Sequence, residues 1–322
     1  LKPYGAAFKS FFATKPAGQD TGSGFFLSYY IITGHGAEIK VERQEILTLL
    51  KCHYYLLNIN CMTRILCIIH ILLLSLNLFA QSGAKFSWPQ GKEAAISLSF
   101  DDGRYSQVEV GTSLLDSFNT KATFYVVPSA VVERLEGWKK AVASGHEIGN
   151  HSLHHPCSGN FIWARNHALE NHTLDSMQTE LATANDLIQK LLGVKPMVLA
   201  NPCGQKFVGR GINTESYVPL VPQMFITGRG FLEETPNDPV FTDFAQITGI
   251  EMDGKDFEQI LPLLETALKN RQWIVLHEMG EGGVQTTRLT MLRKLIAFAQ
   301  DPANKLWIAP VGTIATYINQ HR

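Results

Sequence analysis

The sequence has no run of five or more Lys or Arg, and its formal net charge over 322 residues is only −1. That sets nucleic acid aside as a partner, because binding a phosphate backbone takes a basic face. Charged residues are few, 18% against 45% hydrophobic, which describes a chain that buries a core rather than a disordered one. After Lys92 there is no internal repeat, Pro-rich linker or low-complexity tract, so that region reads as one domain. Met is absent before Met62. Cysteine is scarce: five in all, of which Cys52, Cys61 and Cys67 fall before residue 80, leaving Cys157 and Cys203 as one available pair.

Met62 directly precedes a basic Arg64 and an apolar stretch, Ile65–Phe79, broken only by His70, Ser75 and Asn77. Ala80 and the polar Gln81-Ser82-Gly83 follow. This is the layout of a secretory signal peptide with cleavage after Ala80. The stretch is short of the roughly 20 residues that a spanning helix needs, although an uncleaved anchor is the alternative. No Cys follows it to carry a lipid. The expected organisation is therefore an upstream extension over 1–61 that contributes no domain, a signal peptide over 62–80, and one folded domain over 81–322. A small amino-terminal module is the other reading of 1–61, where only Phe25–Ile32 and Leu47–Asn60 have core-like character. The mature protein is expected outside the cytoplasm, secreted or in the cell envelope, with no stable membrane insertion.

Strand-like and helix-like segments alternate from Lys92 onward. Strands are expected at Ala94–Phe100, Ala122–Val127, Glu147–Gly149, Pro196–Ala200, Met224–Thr227, Ala245–Ile250, Trp273–Leu276 and Leu306–Ala309. Helices are expected at Val108–Phe118, Ala130–Ser144, Thr173–Leu192, Phe257–Leu268, Thr287–Gln300 and Val311–Ile318. Repeated β-α alternation implies an α/β fold of parallel strands with helices outside, and the strand count favours a distorted (β/α) barrel of about seven strands. Function in such folds gathers at the carboxyl ends of the strands.

One strand ends in Ser97-Leu98-Ser99-Phe100-Asp101-Asp102-Gly103. Adjacent carboxylates repel, and burial penalises each unless a cation or a proton resolves the conflict. A solvated Asp-Gly turn is the plain alternative. Another strand end leads into His151-Ser152-Leu153-His154-His155. His151 and His155, four apart, can face one side of a helical turn, as could His151 and His154. Two imidazoles and one carboxylate complete a three-ligand site for a zinc-type ion. Taken together, one Asp would ligate the ion and its neighbour would stay free as a base.

Phe100-Asp101-Asp102-Gly103, followed some fifty residues later by His151-Ser152-x-x-His155, resembles the first two motifs of the polysaccharide deacetylases, carbohydrate esterase family 4. The resemblance extends over about 93–318. It implies Asp101 as general base and Asp102, His151 and His155 as ligands of a divalent ion, zinc above all, with cobalt or nickel as alternatives. The family's third motif, Arg-x-Pro-Tyr-Gly, is met by Ala200-Asn201-Pro202-Cys203-Gly204, so Pro202 and Gly204 agree while Ala200 and Cys203 depart. The backbone N–H of Cys203 would still serve the oxyanion. The missing Arg normally positions the base, and the family's Asp-Trp motif is not visible either. Arg229 in Thr227-Gly228-Arg229-Gly230 would supply positive charge from another direction, unless it is a solvated loop residue. Trp273-Ile274-Val275-Leu276-His277 matches the last motif, making His277 the general acid, with Leu276 lining the pocket for the acyl methyl.

Phe161 and Trp163 either stack on sugar rings beside the metal or pack a long loop, and Cys157 and Cys203 could border the same pocket as a bracing disulfide. Glu147, Glu278 and the acidic run Glu251–Asp256 read as structural. The resemblance thus implies removal of acetyl groups from an acetylated glycan. Two alternatives are hydrolysis of another non-peptide C–N bond in a small cyclic amide and a catalytically silent carbohydrate-binding module.

Overall fold

The strand β1 (Ala94–Phe100) is buried along its whole length, so its two faces differ in what they touch rather than in how wet they are. Ala94, Ile96, Leu98 and Phe100 join the largest hydrophobic cluster, while Ala95 on the other face joins a second cluster. The computed structural model describes residues 86–278 and 287–322, which fall in one compact unit; the expectations for 1–61 and 62–80 lie outside the described residues.

The other strands of the main sheet are β2 (Thr123–Val126), β3 (Glu147–Asn150), β4 (Val198–Ala200), β7 (Thr227–Arg229), β8 (Ile250–Glu251), β9 (Trp273–Glu278) and β10 (Leu306–Ile308). A small antiparallel hairpin, β5 (Phe207–Val208) and β6 (Glu215–Ser216), lies between β4 and β7 in sequence. The sheet runs β7-β4-β3-β2-β1-β9-β8, with β10 alongside the start of β1, and every pairing in it is parallel. Residues 247–251 link its two edges. Ile247 bridges Arg229 of β7, and Ile250 and Glu251 pair with Leu276 and His277 of β9. The result is a distorted α/β barrel.

Alternation assigns each strand residue to a face. The outer face carries Phe124, Val126, Ile148, Ile274 and Leu276 against the helices α1 (Thr112–Ser117), α3 (Leu135–Ala143), α6 (Phe257–Asn270) and α7 (Leu289–Gln300). The inner face carries Ala95, Tyr125, Val198, Ala200, Trp273 and Val275, closed at the amino end of the strands by α8 (Val311–His321). Trp273 and Ser97 pair inside: Trp273 Nε1–H donates to Ser97 Oγ at 3.0 Å, and Ser97 Oγ–H donates to Ala309 O at 2.9 Å. Gly149 is required here, because a Cβ would lie 2.4 Å from the Tyr125 ring.

The longest helix, α4 (Leu174–Leu192), begins at a capping box of Thr173 and Ser176 and ends at Gly193 in the left-handed region. Its buried stripe includes Met177, Glu180, Leu181, Ala184, Asn185 and Ile188, at helical spacing.

Four elements differ from expectation. The strand expected at Ala245–Ile250 opens instead as a 3-10 turn, Phe244–Gln246, and only the two-residue β8 follows. Val108–Phe118 opens with a π turn, Gln107–Gly111, before α1. Ala130–Ser144 is two helices, α2 (Pro128–Glu133) and α3, broken at Arg134, whose φ/ψ of −135°/41° is not helical. The strand expected at Met224–Thr227 is instead β7, because Met224 ends the short helix α5 (Val221–Met224) that the two prolines Pro219 and Pro222 introduce.

Candidate active site

The inner-face alternation carries past the strand ends. Asp101 continues β1, His151 continues β3, Arg229 ends the inner face of β7, and His277 follows Val275 on β9. All four are buried at one rim of the barrel. In-register pairing sets them side by side: Ser99 opposes His277, and the N–H of Asp101 donates to Glu278 O at 3.0 Å.

Asp102, His151 and His155 converge. Asp102 Oδ1 lies 3.4 Å from the Nε2 of each histidine, and the two Nε2 atoms are 3.2 Å apart. A tetrahedral ion with ligands at about 2.0–2.1 Å has ligand–ligand edges of about 3.4 Å, so these three atoms fit three corners of such a site. His151 Nδ1–H donates to Ala200 O at 2.9 Å, which fixes the tautomer and leaves the Nε2 lone pair facing Asp102 and His155. The sequence gives N and O donors in the number that zinc takes, and the fit is therefore chemical as well as geometric.

The loop from His151 to His155 is not the helical turn expected. Ser152 and His155 have φ of 66° and 53°. Asp102, Cys203 and Leu232 add φ of 70°, 54° and 57°, so five of the nine positive-φ non-glycine residues among the described residues lie at this rim. Such backbone costs on the order of 1–3 kcal/mol per residue and persists only where the surroundings hold it. The holders are on β3 and α4. Asn150 Oδ1 accepts from Ser152 N–H at 2.6 Å, and its Nδ2 donates to Leu181 O and Asn185 Oδ1 at 3.0 and 2.8 Å. Ser152 Oγ accepts from His155 N–H at 2.9 Å. Glu180, buried on α4, accepts from Leu153 N–H, His154 N–H and His154 Nδ1–H at 3.1, 2.6 and 2.9 Å. His154 is thereby a loop anchor, turned away from the three-atom cluster.

Burial alone would raise the Asp102 carboxyl, but the hydrogen bond and charge of His151, with His155 and Arg104, pull it down to about 2. Arg104 Nη2 donates to its other oxygen at 2.7 Å. Burial and then the neighbouring His151 charge lower His155 to about 4, so its ring is neutral near pH 7 and able to ligate. Burial would lower His151 too, but the charges of Asp101 and Asp102 outweigh it and raise the ring.

Asp101 is ion-paired with Arg229, both nearly inaccessible. Arg229 also donates from Nη1 to Gly230 O at 2.8 Å, and its guanidinium lies over the Tyr125 ring, 5.0 Å from the centroid. Arg229 is not a solvated loop residue; it ends a buried strand and meets Asp101. Its Cα partner across the β4–β7 ladder is Ala200, the position where the family's third motif carries Arg. A cation absent from one strand is thus present on the next, and the small Ala200 side chain leaves space for it.

His277 is buried; burial first, then the charges of Arg229 and Lys255, hold it well below the usual imidazole range. Its Nε2 accepts from Leu232 N–H at 3.4 Å, and Phe231 lies 4.9 Å away, ring centre to ring centre. Leu276 is corrected: strand alternation turns it opposite to His277, into the helix-facing core with Ile274, so it does not line the site.

Cys157 and Cys203 are disulfide-bonded, with Cα atoms 5.9 Å apart, tying the loop after His155 to the Pro202–Gly204 turn after β4. Trp163 and Phe161 do not pack a core. They are 62% and 45% exposed, 5.5 Å apart, with the Trp163 ring 5.8 Å from His155. Trp163 and His155 border an open groove of about 760 Å³ whose other walls include Val127, Pro128, Leu153 and Leu191.

Reasoning from sequence missed Arg104, Glu180 and Asn150. Arg104 sits two residues past Asp102, but nothing in the local pattern says where it turns. Glu180 was legible as a charge on the apolar stripe of α4, an acid where a hydrophobe belongs. Glu147 is structural as read, accepting from Thr123 Oγ1–H at 2.6 Å and Gly312 N–H at 3.0 Å. Asp256 in the acidic run caps α6 with Gln259.

The family profile described as polysaccharide deacetylase matches residues 89–212, which hold β1 through β5 and the loops that carry Asp102, His151 and His155. Among curated proteins, a gellan lyase of a Bacillus species is 23% identical over 261 residues, 72% of this chain and 10% of that protein. A peptidoglycan-N-acetylglucosamine deacetylase of Listeria monocytogenes is 42% identical over 62 residues, 19% of this chain and 13% of that protein. The chain thus spans about a tenth of the length of these relatives. A crystal structure from Mycobacterium smegmatis, assigned to the polysaccharide deacetylases, superposes with a TM-score of 0.53 at 17% identity, covering 74% of this chain and 94% of the other, and shares its fold. With the matched segment bearing the Asp pair, both histidines and the Pro202–Gly204 turn, the chain belongs to the polysaccharide deacetylase family.

Proposed function

We propose that this protein is a metal-dependent hydrolase that removes acetyl groups from an N- or O-acetylated glycan outside the cytoplasm. The observation that carries the reading is the convergence of Asp102, His151 and His155 at tetrahedral spacing beside an Asp101 that is bound to Arg229 and not to the cluster. A divalent ion held by these three residues, zinc by its donor set, would supply Lewis acidity and a water of lowered pKa.

The remaining steps belong to the chain. Asp101 accepts the proton of the attacking water, and Arg229, ion-paired with it, holds it in place, the task of the missing motif arginine. The Cys203 N–H, on a turn held by the disulfide, donates to the oxygen that gains charge as the carbonyl becomes tetrahedral. His277 is neutral at rest, held so by burial and by Arg229. It takes up a proton from solvent as negative charge builds beside it and passes it to the departing amine or alcohol, while Asp101 returns the water's proton to solvent. Pro202 shapes the turn, and the exposed Trp163 offers an aromatic face to a sugar ring next to His155.

Support for an extracytoplasmic site comes from the disulfide, which suits an oxidising compartment, and from the signal-like segment 62–80, outside the described residues. The Listeria relative's peptidoglycan substrate and the other acetylated glycans, chitin oligomers and xylan, form the test panel. Acetate released from one of them, abolished by chelation and restored by zinc, is the expected result. Chelator-resistant release, or no release together with ring-opening of small cyclic amides, would overturn it, and binding without any hydrolysis would make the protein a silent carbohydrate-binding module.

A further inference from the structure

His155 faces two neighbourhoods. Its Nε2 looks toward Asp102 and His151, while its Nδ1 lies 3.6 Å from Cys157 Sγ. Ligand atoms of His155, Cys157 and Cys203 all lie within 4.8 Å of one another. For a tetrahedral zinc-type ion, with nitrogen at about 2.1 Å and sulfur at about 2.3 Å, the nitrogen–sulfur edge is about 3.6 Å. The observed His155–Cys157 spacing is that edge. The backbones that carry the two sulfurs are anchored apart from the disulfide. Cys157 is fully buried, its carbonyl accepting from Leu169 N–H at 3.0 Å, and Cys203 stands in the turn closed by Gly204 N–H to Asn201 O at 2.8 Å.

We propose that reduction of the Cys157–Cys203 disulfide creates a second metal site, with His155 Nδ1 and the two sulfurs as ligands for a thiophilic divalent cation. Reduction by a phosphine delivers two electrons to the sulfur–sulfur bond. The two sulfurs take up two protons from water, and the phosphine leaves as its oxide with the water oxygen. On binding, the sulfurs ligate as thiolates and release those protons to solvent. Two thiolates and an imidazole favour zinc, cadmium or cobalt over hard cations.

The two sites exclude each other through one ring. A neutral imidazole has a single ring lone pair. Once Nδ1 ligates, Nε2 carries the proton and points an N–H at Asp102, so it no longer binds an ion there. This consequence rests on the proposed function; the sulfur site itself does not. The redox state of the compartment would then decide whether the ion serves hydrolysis or is held by sulfur.

The test is cobalt(II) titration of the full chain under anaerobic conditions, before and after phosphine reduction, read by thiolate-to-cobalt charge-transfer absorption in the near ultraviolet. The oxidised chain should show none, and the reduced chain should gain the band with one cobalt per chain. Cys157→Ser should lose it. Asp102→Ala should keep it, since the sulfur site does not use that carboxylate. Two titratable thiols and a native near-ultraviolet circular dichroism spectrum with no band would overturn the proposal. So would loss of that native spectrum on reduction, because the site needs the folded frame, and so would a band that vanishes in Asp102→Ala. The band is independent of turnover, so its failure and a failure of the hydrolytic reading are told apart.

Discussion

The two faces of the barrel sheet are equally dry and chemically opposite. Ile96, Leu98, Phe100, Phe124, Ile274 and Leu276 on the outer face meet helices through aliphatic and aromatic contact alone. Ser97, Ser99, Asp101, Tyr125, His151, Arg229 and His277, on or continuing the inner face, are as inaccessible, yet they hydrogen-bond, ionise or sit beside charge. Burial by itself therefore says nothing about role in this protein. The inner face is where polar groups are kept from water and held by one another, and that is the setting in which a carboxylate, an imidazole and a guanidinium acquire unusual proton affinities.

Substitutions on the two faces should part company in what they disturb. The largest expected effect is on the inner rim: Asp102→Ala or His151→Ala should lose both bound metal and turnover while the far-ultraviolet spectrum is unchanged. Asp101→Asn should keep the metal, measured by metal analysis, and lose turnover; full activity in that variant would remove Asp101 as the base. Arg229→Met comes next, because it leaves Asp101 buried without its partner, a loss of roughly 3–5 kcal/mol in denaturant unfolding. In the same variant one of the charges that keep His277 neutral is gone, so its titration, followed by NMR, should move up toward the ordinary imidazole range.

Leu276→Ala tests the outer face. It should cost about 2–5 kcal/mol in unfolding free energy, the range for truncating a buried leucine, with kcat unchanged in the protein that remains folded. A large fall in kcat at unchanged stability would return Leu276 to the pocket. Glu180→Ala, which removes the acceptor for the loop between the two histidines, should weaken metal binding by about 10–100-fold, and Glu180→Gln should recover much of it. The smallest effect is a pH dependence. In the metal-free protein Asp102 is ionised in the fold down to about 2, against 3.8 when unfolded. Its contribution, about 2 kcal/mol, is present above pH 3.8 and lost as pH falls toward 2, so the stability advantage over Asp102→Asn should shrink across that window.

Much of this was legible from short patterns. SLSFDDG announced a strand with a carboxylate pair at its end, and HSLHH announced imidazoles. The helical stripes of α4, α6, α7 and α8 follow from their apolar spacing. Leu276 was also legible and misread: in a strand, the neighbour of His277 cannot share its face. Arg229 was harder. Thr227-Gly228-Arg229-Gly230 looks like a loop because its two glycines suggest one, and only the ladder with Val198–Ala200 turns it into a strand. Cys157 and Cys203 stand 46 residues apart, and nothing local to either states that they meet.

By itself the sequence determined which side chains stand next to one another along each strand and on which face, because alternation is a property of the extended backbone. It determined too that Asp101 and Asp102 meet different partners, since consecutive residues at a strand end cannot point the same way. Tertiary structure alone decided that Arg229 reaches Asp101 across 128 positions, that Glu180 holds the loop between two histidines, and that a disulfide stands behind one of them. The physical reason is that parallel strands never meet through a turn. Their order and register come from how helices and barrel closure bury the whole sheet at once, and no short stretch of chain carries that information.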